Sequence, residues 1–149
     1  MYAPHVVTVY NISENPDTLE TERNITILDG VFLDISKAEN VQKSGLANAD
    51  SAMLYIPFDV HAHDPFTGKN KAYIEPKRYE ELADKTDYWT LRTSGDASAA
   101  SCFFVKGFVV ENVPYGTIRN KHDFVYDVSS VDTRDFGSQS MQHWQVGGR

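Results

Sequence analysis

The chain has 149 residues, a net charge of −7 and a pI near 5.1. Its length fits one domain with a modest core, and its 41% hydrophobic and 23% charged residues are ordinary for a folded chain. The acidic balance argues against tight wrapping of nucleic acid, because it repels phosphate. No apolar run approaches the length of about 20 residues that a membrane-spanning helix needs, so no membrane contact is expected.

Short β-type runs hold most of the apolar residues in the first half of the chain. The first is His5–Ile12, which alternates as a strand does. The second, Asn24–Ser36, is rich in Ile, Val, Leu and Phe, and Gly30 in its middle predicts a bulge or a sharp bend. The third, Ser51–Phe58, also alternates, and Pro57 marks either a sheet edge or the end of the strand.

The second half adds one helix and four further strand candidates. Glu75–Lys85 has a proline near its start and a short apolar stripe, which predicts a helix. Lys37–Asp50 is polar and reads either as a short helix or as a long loop, and Ser94–Ser101 fits a hairpin tip. The further strand candidates are DYWTLRT, CFFVKGFVVE, DFVYDVSSVD and HWQVGG.

Six to seven short strands separated by polar turns predict a mainly β fold, either a small barrel or a sandwich. We expect a single domain over residues 1–149 with long loops and one short helix at about 75–85. A long loop is expected at about 59–72. The sequence also allows an extended C-terminal arm at about 132–149. The glycine pair Gly147–Gly148 fits an unstructured end better than a ligand cradle.

The stretch DVHAHDPFTGKN contains the residues that are best suited to binding a metal ion. His61 and His63 would point the same way on a strand, as two ligands of one metal ion do, and Asp64 follows directly. Known metal-binding patterns with two such histidines space their aspartate differently. DPFTGKN instead has the Asp-Pro and Thr-Gly signals of a turn, which favours an exposed loop without a metal.

Other chemistry-bearing residues have structural interpretations. Cys102 lies in an apolar run with no neighbouring base, which predicts a small buried residue and not a nucleophile. Tyr88 and Trp89, with Tyr73 and Tyr79, could line a sugar-binding platform, but they are more typical of a β-domain core. We therefore expect no enzyme activity and no cofactor.

The pieces follow one another in a recognisable order. They are TVYN, ITILDGVFLD, NVQKSGL with ADSAMLYIPF, KAYIEPKRYEEL, YWTLRTSGD, FFVKGFVVEN and HWQVGGR, of which the YIP and YIEPKRY couplet and the closing HW are the most specific. This order, over nearly the whole chain, resembles the small head–tail connector proteins of tailed phages and prophages of Gram-positive bacteria. Within that group, adaptors are mainly helical, tail terminators have a helix-flanked sheet, and stoppers are small β-barrels with long loops.

The resemblance therefore implies a structural virion protein of the stopper, or head-closure, type. Such a subunit forms a ring of six or twelve copies below the portal or adaptor ring and docks the tail terminator or tail tube. Double-stranded DNA passes through the ring without tight binding, and assembly takes place in the host cytoplasm. The alternatives are a tail terminator or tail-tube protein of the same phage, or a small metal-binding β-domain that uses His61 and His63.

On this reading the stretch from Asp59 is an elongated loop that contacts the channel or a neighbouring subunit. The resemblance requires no particular residue there, so no residue role is carried over from the family. The contact candidates are inferred only from their place in this predicted loop. They are His61, His63, Asp64, Phe66 and Lys69.

Overall fold

The computed structural model describes residues 3–15, 17–36, 51–93 and 102–149. The ambiguous polar segment Lys37–Asp50 and the expected hairpin tip Ser94–Ser101 lie outside the described residues. In the described part the helices are α1 (Pro76–Glu81) and α2 (Tyr115–Lys121), with a 3-10 turn at Gln139–Met141. The strands are β1 (His5–Glu14), β2 (Thr21–Ser36), β3 (Ser51–Pro57), β4 (His61–His63), β5 (Ala72–Tyr73), β6 (Tyr88–Trp89), β7 (Cys102–Lys106), β8 (Val125–Arg134) and β9 (His143–Gly148).

Six of these strands form a closed antiparallel β-barrel. They follow the order β1-β7-β8-β9-β3-β2, and the β1–β2 pairing closes the circle. The short strand β4 pairs with the same edge of β2 as β3 does, after a break at residues 58–60. The predicted mainly β class is confirmed, and of the two architectures that the sequence allowed the barrel is observed.

Gly30 marks the bend that lets β2 serve both of its neighbours. His5 on β1 lies opposite Val31, whereas Val6 lies opposite Asp29, so Gly30 is the extra residue of a β-bulge. Its φ of 95° is a conformation that glycine adopts without steric cost. The bulge predicted at this position is present, and it lies near the end of the pairing with β1, just before the part of β2 that pairs with β3.

Two apolar clusters lie on the two sides of the barrel wall. The interior cluster includes Val7, Leu28, Leu54, Phe104, Trp89, Trp144 and Val146. The second cluster lies outside the wall, where α2 covers Tyr10, Ile25, Phe103, Val105 and Val125 with Ile118. The sequence did not predict α2, because Ile118 is its only buried residue and provides no apolar stripe.

The one predicted helix is present but shorter than expected. It covers Pro76–Glu81 and not residues 75–85, because Leu82 is already extended, with a ψ of 130°. Tyr79 is the only buried residue of α1. Among the described helices none has the length and apolar character needed to cross a membrane.

The C-terminal residues complete the barrel wall and form no extended arm. Residues 132–134 end β8, and β9 pairs with β8 on one side and with β3 on the other. Trp144 and Val146 point into the interior. Pro57 ends β3 and marks no sheet edge, because β3 is paired on both sides.

Gly148 lies where the barrel wall leaves no room for a side chain. A Cβ atom built there would stand 2.7 Å from Cζ of Phe104 and 2.8 Å from Cβ of Tyr126. Gly147 is similarly confined by the hydroxyl of Ser130. The glycine pair is thus a packing requirement of β9, and the unstructured end inferred from the sequence is wrong.

We expect Gly148→Ala to lower the free energy of unfolding by about 1–3 kcal/mol, the usual cost of overpacking a core. The control is Gly116→Ala in α2, where a Cβ atom meets nothing within 4 Å. That change should be neutral or stabilise by up to about 1 kcal/mol, since alanine favours a helix. Urea unfolding followed by tryptophan fluorescence measures both, and equal stabilities of the two variants would contradict the packing argument.

Candidate functional site

His61 and His63 lie on the barrel wall, on β4. Their cross-strand partners on β2 are Asp29 and Ile27, so both rings point outward while Ala62 between them is buried. The two rings stack with their centroids 4.6 Å apart. The same-face arrangement that an HxH pattern predicts on a strand is therefore present, although the sequence analysis placed these histidines on a loop.

The turn after β4 is compact and internally hydrogen-bonded. The Asp64 carboxylate accepts hydrogen bonds from the backbone N–H groups of Phe66 at 2.7 Å and Thr67 at 3.0 Å. The N–H of Asp64 donates to the Lys69 carbonyl at 2.8 Å, and His63 forms a β-bridge with Asn70. The expected long loop at 59–72 is thus a short strand followed by a tight turn.

The turn presents an aromatic ring and an ammonium group to solvent. The side chain of Phe66 is 67% exposed, and Lys69 is exposed beside it. Partial burial raises the pKa of the Asp64 carboxyl, but the two backbone donors and the Lys71 ammonium outweigh it, so this pKa lies below its usual value. The ionised carboxylate keeps the turn in one shape, which suits a fixed contact with another surface.

Lys71 anchors the base of this turn inside the barrel. Its side chain is 1% exposed, and its Nζ donates to the side-chain oxygen of Asn24, to the Ile25 carbonyl at 2.9 Å and to the Thr26 hydroxyl at 3.1 Å. The Asp64 carboxylate lies 3.9 Å away. Three acceptors match the three ammonium protons, so the buried charge is fully hydrogen-bonded.

The segment after Lys71 crosses one end of the barrel and is held there by two asparagines of the wall. Asn24 donates to the Tyr79 hydroxyl at 2.9 Å and to the backbone carbonyl of Tyr88 at 2.8 Å. Asn11 on β1 exchanges two hydrogen bonds with the backbone of Thr90, at 2.9 and 3.2 Å. These contacts place α1 and Trp89 across the barrel end.

These anchoring residues were missed at the sequence level. Lysine is rarely buried, so Lys71 read as part of a polar turn. The available signal was Asn11, inside an apolar run, and Asn24, at the start of the next one, since both need hydrogen-bond partners once the strands are buried.

An acidic cleft of about 690 Å³ opens between α1 and the β1–β2 hairpin. Two basic residues also line it: Arg92 pairs with Glu80, and Lys85 donates to the Leu82 carbonyl at 2.7 Å, so the carboxylates outnumber the cations. The carboxylates of the cleft are Glu14, Asp17, Glu22, Glu80 and Glu81. This end of the barrel therefore repels polyanions.

The other histidines do not complete a metal site with His61 and His63. Nδ1 of His5 accepts from the Leu33 N–H at 3.0 Å, His122 contacts Glu111 at 3.1 Å, and His143 lies 2.8 Å from the Met141 carbonyl. Within the described part of the chain, no three His, Cys, Asp or Glu side chains are grouped so that they could hold a metal ion.

The remaining candidates are core residues. Cys102 is fully buried, as predicted, and burial raises the pKa of its thiol to about 12, which opposes nucleophilic reactivity. Trp89 and Tyr79 are buried, and Tyr73 packs against both tryptophan rings. These rings fill the barrel and its end, so they form no exposed sugar platform.

Comparison with known proteins yields one family. The model of a family described as "Family of unknown function (DUF6751)" matches residues 3–149. Neither the curated proteins nor the solved structures yield a match.

We expect the contribution of Lys71 to the free energy of unfolding to change with pH. Burial lowers the pKa of its ammonium group from 10.5 to about 8, against the opposing attraction of Asp64 and Asp87. Between these two values the unfolded chain binds the proton more tightly, so the Lys71 contribution to stability rises with pH across that window. Below about pH 8 the charged group is present in both states and its full burial cost remains.

Comparison with Lys71→Met isolates this contribution. Cys102, Tyr10 and Tyr79 have pKa values raised to about 12, and their effect on stability is opposite to that of Lys71. They reduce stability above about pH 9 in the wild type and in Lys71→Met alike. From pH 7.5 to 9.5 the stability of the wild type relative to Lys71→Met should increase by about 2 kcal/mol. Urea unfolding at a series of pH values measures this difference, and parallel pH profiles would contradict it.

Proposed function

The chain belongs to the DUF6751 family of unknown function, and from its residues and geometry we propose that it is a subunit of a phage head–tail connector ring, of the stopper type. In this role it closes the DNA-filled capsid below the portal or adaptor ring and docks the tail. The particle location and these partners are part of the proposal.

The observation that carries the proposal is a closed barrel with a braced turn projecting from its wall. Asp64 holds the shape of the turn and Lys71 ties its base to β2, so Phe66 and Lys69 are presented at a fixed position. In a ring, one such contact repeats at every subunit, and a rigid turn loses little conformational entropy when it binds. A closed barrel suits this role, since it joins its neighbours through side chains without exchanging strands.

Charge supports the passage of DNA. The net charge of −7 and the acidic cleft at the end of the barrel disfavour adhesion to phosphate. A conduit for DNA needs such a surface, because any tight binding would slow the exit of the genome.

A tail-terminator or tail-tube role in the same particle is the second candidate, since tube subunits also use β-barrels. Electron microscopy of the purified protein separates the two. Single rings that bind the adaptor ring favour a stopper, whereas stacked rings with strand pairing between subunits favour a tube.

We expect inactivation of the gene in its phage or prophage to give heads that lose DNA and carry no tails. A wild-type copy supplied in trans should restore tailed particles, and a Phe66→Asp copy should restore far fewer, because it puts a charge at the centre of a contact. A Phe66→Tyr copy, which keeps the ring, serves as the control. Inactivation that leaves DNA-filled, tailed particles would refute the connector role.

The stacked histidine pair makes a metal-binding module the candidate of a different class, because Nδ1 of His63 has no hydrogen-bond partner among the described residues. Two ligands are fewer than the four of a structural zinc site. Elemental analysis of protein purified without a tag should therefore find far less than one zinc per chain. Stoichiometric zinc that is lost in His63→Ala but kept in His143→Ala would reverse this expectation.

A further inference from the structure

Four rings form a continuous row across the outer face of the barrel, which we term the aromatic row: His5, Phe32, Tyr55 and His143. They come from β1, β2, β3 and β9, and adjacent ring centroids are 5.4, 5.9 and 5.8 Å apart. Each ring is half-buried and keeps an accessible part. Outward positions of a barrel wall in water usually carry polar side chains, so four consecutive rings need an explanation.

The β8–β9 connection, which leads into His143 at one end of the aromatic row, carries exposed apolar side chains. The carbonyl of Met141 lies 2.8 Å from the His143 ring nitrogen, and the Met141 side chain is 56% exposed. Phe136, in the same β8–β9 connection, is 69% exposed. The aromatic row and this connection bring rings and a thioether to the surface, as the buried centre of a protein interface does.

The strand positions around the aromatic row carry little charge. Cross-strand pairing puts Met53 and Gln145 on the same face, and the charged residues there are Asp34, Asp132 and Arg134. Arg134 lies 3.9 Å from the Asp132 carboxylate, which leaves Asp34 as the carboxylate without a cation among these positions. In a chain of net charge −7 this face is close to neutral.

We propose that the aromatic row is the surface through which one copy of this chain contacts a second copy. Two acidic chains repel each other over most of their surfaces, so they approach with the least electrostatic cost over a face that has little net charge and is rich in aromatic rings. The barrel is closed, so this contact uses side-chain faces and no added strand. The inference rests on the proposed function for the ring that the contact would build, but the contact itself can be tested alone.

The first experiment measures self-association of the full chain by sedimentation velocity over a range of concentrations. The test variant is Gln145→Glu, which adds a charge to the row's face at a half-exposed position, and the matched control is Thr21→Glu, which adds the same charge at the exposed start of β2. We expect Gln145→Glu to weaken self-association by about tenfold or more, and Thr21→Glu to leave it unchanged. Equal effects of the two variants, or wild-type protein that stays monomeric at all concentrations, would overturn the proposal.

The second experiment maps the contact directly and keeps an aromatic ring at position 55. A photo-crosslinking phenylalanine derivative replaces Tyr55 in one protein and Leu19, which is 72% exposed in the β1–β2 turn, in the other, and the products are mapped by mass spectrometry. We expect Tyr55 to yield covalent dimers linked to a second copy, in higher yield than Leu19. Crosslinks from Tyr55 only within its own chain, or in cells to a different protein, would overturn the second-copy assignment.

The two proposals fail separately. If the protein self-associates through the aromatic row but its inactivation leaves tailed, DNA-filled particles, the interface is supported and the connector role is refuted. If inactivation causes loss of DNA and tails but Tyr55 gives no crosslink between copies, the connector role is supported and this interface is refuted.

Discussion

The structure depends on one strand that pairs along both of its edges. β2 closes the barrel by pairing with β1 on one edge, while β4 and β3 pair in succession along the other. The bulge at Gly30 bends β2 near the point where its neighbour on the second edge changes from β4 to β3. Without this bend, the two ladders would have to follow one straight strand, and the wall would open into a sheet with exposed edges.

Closure of the wall leaves an open end, and a polar network covers it. Lys71, Asn11 and Asn24 tie the segment that carries α1 and Trp89 to the inner positions of β1 and β2. Such a network specifies one arrangement, since each buried group would be left without a partner in any other. Its cost is the desolvation of the Lys71 ammonium, which appears as a pKa lowered to about 8.

The same architecture separates three surfaces with different properties. The turn after β4 is braced by hydrogen bonds and projects Phe66, the cleft at the barrel end is acidic, and the face of the aromatic row carries rings and little net charge. Among the described residues the six barrel strands form a closed circle of pairings, so we expect contacts with other molecules to use side chains on these surfaces. The proposed ring subunit, which would bind copies of itself, adjoin other rings and let DNA pass, needs surfaces of these three kinds.

Local patterns in the sequence determined the mainly β class, the bulge or bend at Gly30 and the burial of Cys102. Each depends on neighbouring residues alone, through alternation, backbone freedom or apolar context. Only the tertiary structure decided that the wall closes, that Lys71 is buried, that Gly148 must lack a side chain, and that His5, Phe32, Tyr55 and His143 form one row. These features join residues that are far apart in the chain, and their pairing energies depend on strand order and register, which no local pattern encodes.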